Sequence, residues 1–184
     1  MSILDRLETS LLEEKRSIEM DEARDLVDLP ATDLPRLLAL AHEVRRRWWG
    51  EGVELESLIS AQTGGCPEDC AFCSQSMHYD APAQRHAFLP LDQVMAAARA
   101  TEASGASAFC IVVAVRGPDR RLMDQVLRAI EAIHRETSLD VDCSLGILSR
   151  PQAEALRDAG VHHYNHNLET ARSYFPQIVT THTW

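Results

Sequence analysis

The sequence predicts an α/β fold: a partial (β/α)8 TIM-type barrel of about four parallel βα units, preceded by N-terminal helices. Three observations predict it. From residue 53 onward, short β-branched stretches alternate with helical patterns across short connections, and such alternation makes parallel strands with right-handed crossovers. Before residue 50 the periodic stretches are all helical. The composition, 45% hydrophobic and 25% charged over 184 residues, is that of a globular chain with a sizeable core. The βα spacing favours a barrel over a doubly wound sheet, although four strands by themselves are compatible with both.

The elements follow in order. Ile3, Leu4, Leu7, Leu11 and Leu12 recur at helical spacing over residues 3–17. "DEARDLVD" (21–28) is a short helix stopped by "LPATD". Asp33 reads as an N-cap with Pro35 in the first turn. The apolar series Leu34, Leu37, Leu38, Ala41 and Val44 then runs to "RRRWWGEG", where the helix dipole favours cations. Residues 1–50 are therefore assigned to a helical extension and 51–184 to the first half of the barrel. "VELESLIS" (53–60) is the first strand, and residues 90–105 form a helix ended by Gly105. A strand at 107–115 precedes a helix at 118–136 with the stripe Leu122, Val126, Ile130 and Ile133. The third strand is 139–147, the next helix 150–160, and the fourth strand 161–169.

The net charge of −10 argues against nucleic acid or an anionic membrane as a main partner, since both require a basic face. No apolar run reaches the ~18 residues of a membrane span, and the first residues lack a signal-peptide pattern. A cytoplasmic location is the simplest reading, and there cysteines stay reduced. Five cysteines is also an odd number, which favours a metal or cluster over a disulfide framework.

Cys66, Cys70 and Cys73 lie in "GGCPEDCAFCSQS", on the loop after the first strand. Structural zinc takes four closed ligands, whereas a 4Fe–4S cubane held by three thiolates keeps one iron open to a further ligand. On the residues alone both metals stand. Cys110 and Cys143 fall on successive strands. Parity groups Cys110 with Ala108, Val112 and Ala114, and Cys143 with Val141 and Leu145, so neighbouring strands could bring both thiols to one interior site. A lone strand cysteine is also commonly a core residue. Asn165 and Asn167 share a strand face and need hydrogen-bond partners. His162, His163 and His166 alternate between faces and are assigned to surface or packing, not to one ion. Arg116 follows the second strand at the rim where barrel chemistry lives, as a carboxylate or cofactor contact.

The C-x3-C-x2-C spacing, with Phe72 before the last cysteine, resembles the radical S-adenosylmethionine superfamily. "TGGCPEDCAFCSQS", "FCIVVAVRGP", "CSLGILS", "AGVHHYNHNLETA" and "IVTTHTW" together resemble the biotin synthase family, from about residue 20 to the last. The resemblance implies a 4Fe–4S cluster on Cys66, Cys70 and Cys73 whose open iron binds S-adenosylmethionine, with Phe72 and Glu169 as contacts of that cofactor. It implies a 2Fe–2S cluster with Cys110 and Cys143 among its ligands, and Asn165 and Asn167 at the substrate dethiobiotin. The implied reaction is radical insertion of sulfur into dethiobiotin to form biotin, in a homodimer fed by a flavodoxin- or ferredoxin-like electron donor. A full barrel takes about 250 residues, so the chain is expected to be the N-terminal half of such an enzyme, inactive alone, with the other 2Fe–2S ligands beyond Trp184. Two alternatives stay open: an iron–sulfur or zinc binding module without turnover, and a radical enzyme acting on a different substrate.

Overall fold

The computed structural model describes residues 2–184. The chain divides into two compact units, Met1–Val53 and Glu54–Trp184. The first contains α1 (Ile3–Glu8), α2 (Met20–Val27) and α3 (Leu34–Trp49). α1 opens on a capping box in which Ser2 and Asp5 bond each other's backbone N–H. It continues into a π-helical turn, Thr9–Glu13, and the chain breaks out at Lys15, whose φ is 59°. The helical stripe expected to residue 17 stops there. Leu4, Leu7 and Leu40 are the buried centre of this unit, with Leu11, Leu37 and Val44 packed around them. Asp33 stands at the N-cap position of α3, but its side chain makes no capping bond.

The second unit is a parallel sheet of β1 (Glu56–Gln62), β2 (Ala108–Val113), β3 (Asp140–Ser144) and β4 (Val161–Tyr164), in the order β1-β2-β3-β4. The helices α4 (Leu91–Ala103), α5 (Arg120–Glu136) and α6 (Arg150–Asp158) connect successive strands. Their apolar stripes cover one face of the sheet. Val94 of α4, Val126 and Ile130 of α5, and Leu156 of α6 share a core with Phe109, Ile111, Val113, Val141 and Leu145. The strand residues in that core recur with the period of two that a pleat dictates. Asp119 starts α5 by accepting the Leu122 N–H at 2.7 Å.

The opposite, inner face is set by the strand register. Leu58, Cys110 and Asp142 form one row across β1, β2 and β3, and Ser60, Val112 and Ser144 the next. This register corrects the expectation that the two strand thiols share a face. Cys143 pairs with Ile111, belongs to the helix-side core and is 0% exposed, while Cys110 lies beside Asp142 on the inner face. Parity orders the residues within a strand; it does not supply the stagger between strands, and a slip of one residue turns every side chain over.

The fourth strand is also shorter than expected. It ends at Tyr164, and Asn165–Glu169 leave the sheet as a loop. β4 has one neighbour only, and its polar continuation carries no apolar row for a helix to cover. Opposite Val141–Cys143, β4 carries an extra residue: Val141 pairs with Val161 but Cys143 pairs with Tyr164. This bulge lets His162 and His163 both approach Asp142, at 4.0 and 3.6 Å, where strict alternation would separate them.

Candidate metal and cofactor site

The loop between β1 and α4 folds on itself through its backbone. Cys66 N–H donates to Gln75 O at 3.0 Å, Met77 N–H to Cys66 O at 2.9 Å, and Cys73 N–H to Cys70 O at 3.0 Å. Gly64 N–H reaches Gln75 Oε1 at 2.7 Å. Gly64 has φ of 73°, and a Cβ there would stand 2.5 Å from Arg85 Cγ, so the position demands glycine. The folded loop holds Cys66, Cys70 and Cys73 half-buried, all three lining one cleft of about 310 Å³. Burial pushes the Cys66 and Cys70 thiols up, Cys70 to about 11, and the neighbouring sulfurs and Glu68 add to the rise. Crowded thiols of which Cys66 and Cys70 resist becoming thiolates are a donor set that a multinuclear metal centre would discharge. The residues fit a three-thiolate cluster.

Between the first two cysteines stand two acids that the sequence analysis did not single out. The buried Glu68 carboxylate accepts from Arg116 Nη1 at 2.7 Å, from Thr181 Oγ1 at 2.5 Å and from His182 Nδ1. Asp69 accepts the Thr180 and Thr181 N–H groups at 2.9 and 3.1 Å, and the hydroxyls of both threonines. Burial works to raise the Glu68 value, but the bonds from Thr181, His182 and Arg116 outweigh it and hold the carboxyl below its ordinary range. The bonds from Thr180 hold Asp69 well below the usual carboxylate range. Ala71 N–H adds a bond to Ile178 O at 2.9 Å. Residues 178–182 are thus clasped onto the cysteine loop. The signal in the sequence was a pair of acids beside thiols that would repel them, which implies donors nearby. Apart from Arg116, 48 residues on, the donors lie 111 or more residues downstream.

The remaining site residues divide. Arg116 lines the cleft, but its guanidinium is engaged by Glu68 and by Thr181 O at 2.8 Å. Its carbonyl accepts Ile147 N–H at 2.6 Å. That approach requires Gly146, whose φ is 77° and whose Cβ would lie 2.4 Å from Arg116 O. Asn167 and Glu169 line the cleft, the latter with φ of 63°. Phe72 is 55% exposed on the loop surface. Asn165 turns to the inner face instead, with Nδ2 at 3.8 Å from Cys110 Sγ. Burial and the Glu56 carboxylate push the Cys110 thiol up to about 12.

Parallel βα units with three thiols on the loop after the first strand define a radical S-adenosylmethionine protein. Residues 61–184 match the Radical SAM superfamily, and the chain belongs to it. Within that superfamily its curated relatives are biotin synthases. It is 58% identical over 163 residues to the biotin synthase of Acidothermus cellulolyticus, covering 89% of this chain and 48% of that one. The biotin synthase of Parafrankia sp. is 52% identical over 99% of this chain and 50% of its own. That of Corynebacterium glutamicum is 49% identical over 100% of this chain and 54% of its own. The chain spans about half the length of these relatives. The crystal structure of methylornithine synthase shares the fold, with a TM-score of 0.76 at 18% identity, over 99% of this chain and 52% of that one. Membership of the superfamily implies a 4Fe–4S cluster and S-adenosylmethionine. Among the described residues no helix is long and apolar enough to cross a membrane.

Proposed function

We propose that the chain contributes the cofactor-activating part of a biotin synthase, the enzyme that inserts sulfur into dethiobiotin to form biotin. The observation that carries this reading is the convergence of Cys66, Cys70 and Cys73 on the cleft that also takes Asn167 and Glu169. The three cysteines hold the 4Fe–4S cluster. Glu169 serves as a hydrogen-bond acceptor for S-adenosylmethionine, and Asn167 offers its amide to cofactor or substrate. When bound, the cluster and S-adenosylmethionine supply one-electron radical chemistry. The chain's own part is to position and to keep water out. Val112, Ile147, Leu168 and Phe175 give the cleft apolar walls, while Glu68 and Arg116 fix the loop. The electron donor is a flavodoxin- or ferredoxin-like protein, the working state is a homodimer, and the location is cytoplasmic; these follow from the family reading. A 2Fe–2S centre on Cys110 together with Cys143 does not fit the register, which turns the two thiols to opposite faces of the sheet.

Anaerobic reconstitution with iron and sulfide tests the reading. Close to four irons per chain are expected, with an electron paramagnetic resonance signal on reduction that shifts when S-adenosylmethionine is added. Cys66→Ala, Cys70→Ala and Cys73→Ala should each abolish it. Zinc in place of iron, or a signal that survives all three changes, would sink the proposal.

A further inference from the structure

Gln75 follows the last loop cysteine and is held from two directions. Its backbone O accepts the Cys66 N–H at 3.0 Å, and its Oε1 accepts the Gly64 N–H at 2.7 Å. A backbone N–H can only donate, so the oxygen of the amide must face Gly64 and the NH2 group must point away from it. Gly64 is buried, which shelters that bond from water. The loop therefore fixes which way round the amide lies. Gln75 lines the same cleft as Cys66, Cys70 and Cys73. Among the described residues its Nε2 donates to nothing, and no buried side-chain nitrogen there lacks a partner, so the NH2 group stands open. Two other donors of the cleft are already engaged: Arg116 Nη1 by Glu68 and Thr181 O, and His182 Nδ1 by Glu68.

We propose that Gln75 Nε2 donates a hydrogen bond to a sulfur of the 4Fe–4S cluster held by Cys66, Cys70 and Cys73, and so makes that cluster easier to reduce. The inference rests on the cluster reading above and adds a residue to it. Reduction puts further negative charge on a centre held by three thiolates, with the Glu68 carboxylate beside Cys66. A donor fixed toward the sulfurs stabilises the more negative form, and hydrogen bonds to sulfur are among the factors that set a cluster's potential. The backbone supplies one such bond, from the Glu68 N–H to Cys66. Gln75 supplies one from a side chain, which substitution can remove.

The test is a titration of the anaerobically reconstituted chain with dithionite, read by electron paramagnetic resonance, without S-adenosylmethionine. Gln75→Leu removes the donor without adding charge. Gln75→Glu removes the donor but keeps an acceptor for Gly64. In both, the equilibrium constant for reduction should fall at least tenfold, which is about 59 mV for one electron. Because either change could also disturb the loop, the parent chain with heavy-nitrogen label in its glutamine side chains gives a second measure. Pulsed resonance on its reduced cluster should show a nitrogen coupling that both variants lose, which a role confined to holding Gly64 would not produce. An unchanged midpoint in Gln75→Leu, or no glutamine nitrogen coupling in the parent, would overturn this proposal and leave the function above standing. A parent that takes up no iron–sulfur cluster would overturn both.

Discussion

Glu68 is a buried charge with three donors, and its removal leaves each of them short. His182 loses its acceptor on the loop, Thr181 keeps only Asp69, and Arg116, half exposed, turns toward water. Glu68→Ala is expected to destabilise the second unit by about 2 kcal/mol, at the cost of leaving buried polar groups unpaired, measured by urea unfolding. Alkylation of Cys66 and Cys70 should speed up in the same variant, because the clasp that half-buries them is loosened. Unchanged labelling would show that the loop holds its shape without the carboxylate. At this scale the sequence disclosed what is local. The three thiols are legible because their spacing is contained in eight residues. Arg116 was legible as a carboxylate or cofactor contact at the rim, but the threonine and histidine partners of Glu68 and Asp69 were not, because the fold, not the chain, brings them near.

Helices were the most legible elements. The stripe Leu122, Val126, Ile130 and Ile133 is buried as the period requires, whereas strand ends moved by up to five residues because edges and bulges depend on neighbours. In the first unit the helices are tied by ion pairs that make a prediction about acid. Arg36 beside Asp5 holds that carboxyl at about 2, against an ordinary 3.8. Arg16 holds Glu22 at about 2, against 4.5. Both folded values lie below the unfolded ones, so the stabilisation is complete above about pH 4.5 and is lost as pH falls toward 2. Hydrogen exchange on the whole chain should show residues 3–49 losing protection across that window. Added salt should diminish the effect, since these pairs are exposed. Protection independent of pH between 5 and 2 would show that the pairs contribute nothing.

For the molecule as a whole, strand order was readable from the alternation of elements, and the face each side chain takes was not. The sheet presents β1 and β4 as edges, and Leu58 on the inner face is 66% exposed. Unpaired edges beside an exposed apolar side chain favour association between chains. The purified 184-residue chain is therefore expected to self-associate with rising concentration, and Leu58→Lys should shift sedimentation toward the monomer. A monomer at all concentrations would refute this. The clasp between the cysteine loop and residues 178–182 has one more consequence, in the order of events during synthesis. Cys70 leaves the ribosome well before Thr181 does; at about 5–20 residues per second the interval is roughly 6–20 seconds. Until residues 178–182 arrive, Asp69 lacks its threonine donors and Glu68 has at most Arg116, and the thiols flanking the two acids stand open to oxidation. The cysteine loop is made well before the residues that clasp it, so a nascent chain needs a reducing surrounding until residues 178–182 arrive to shelter the thiols.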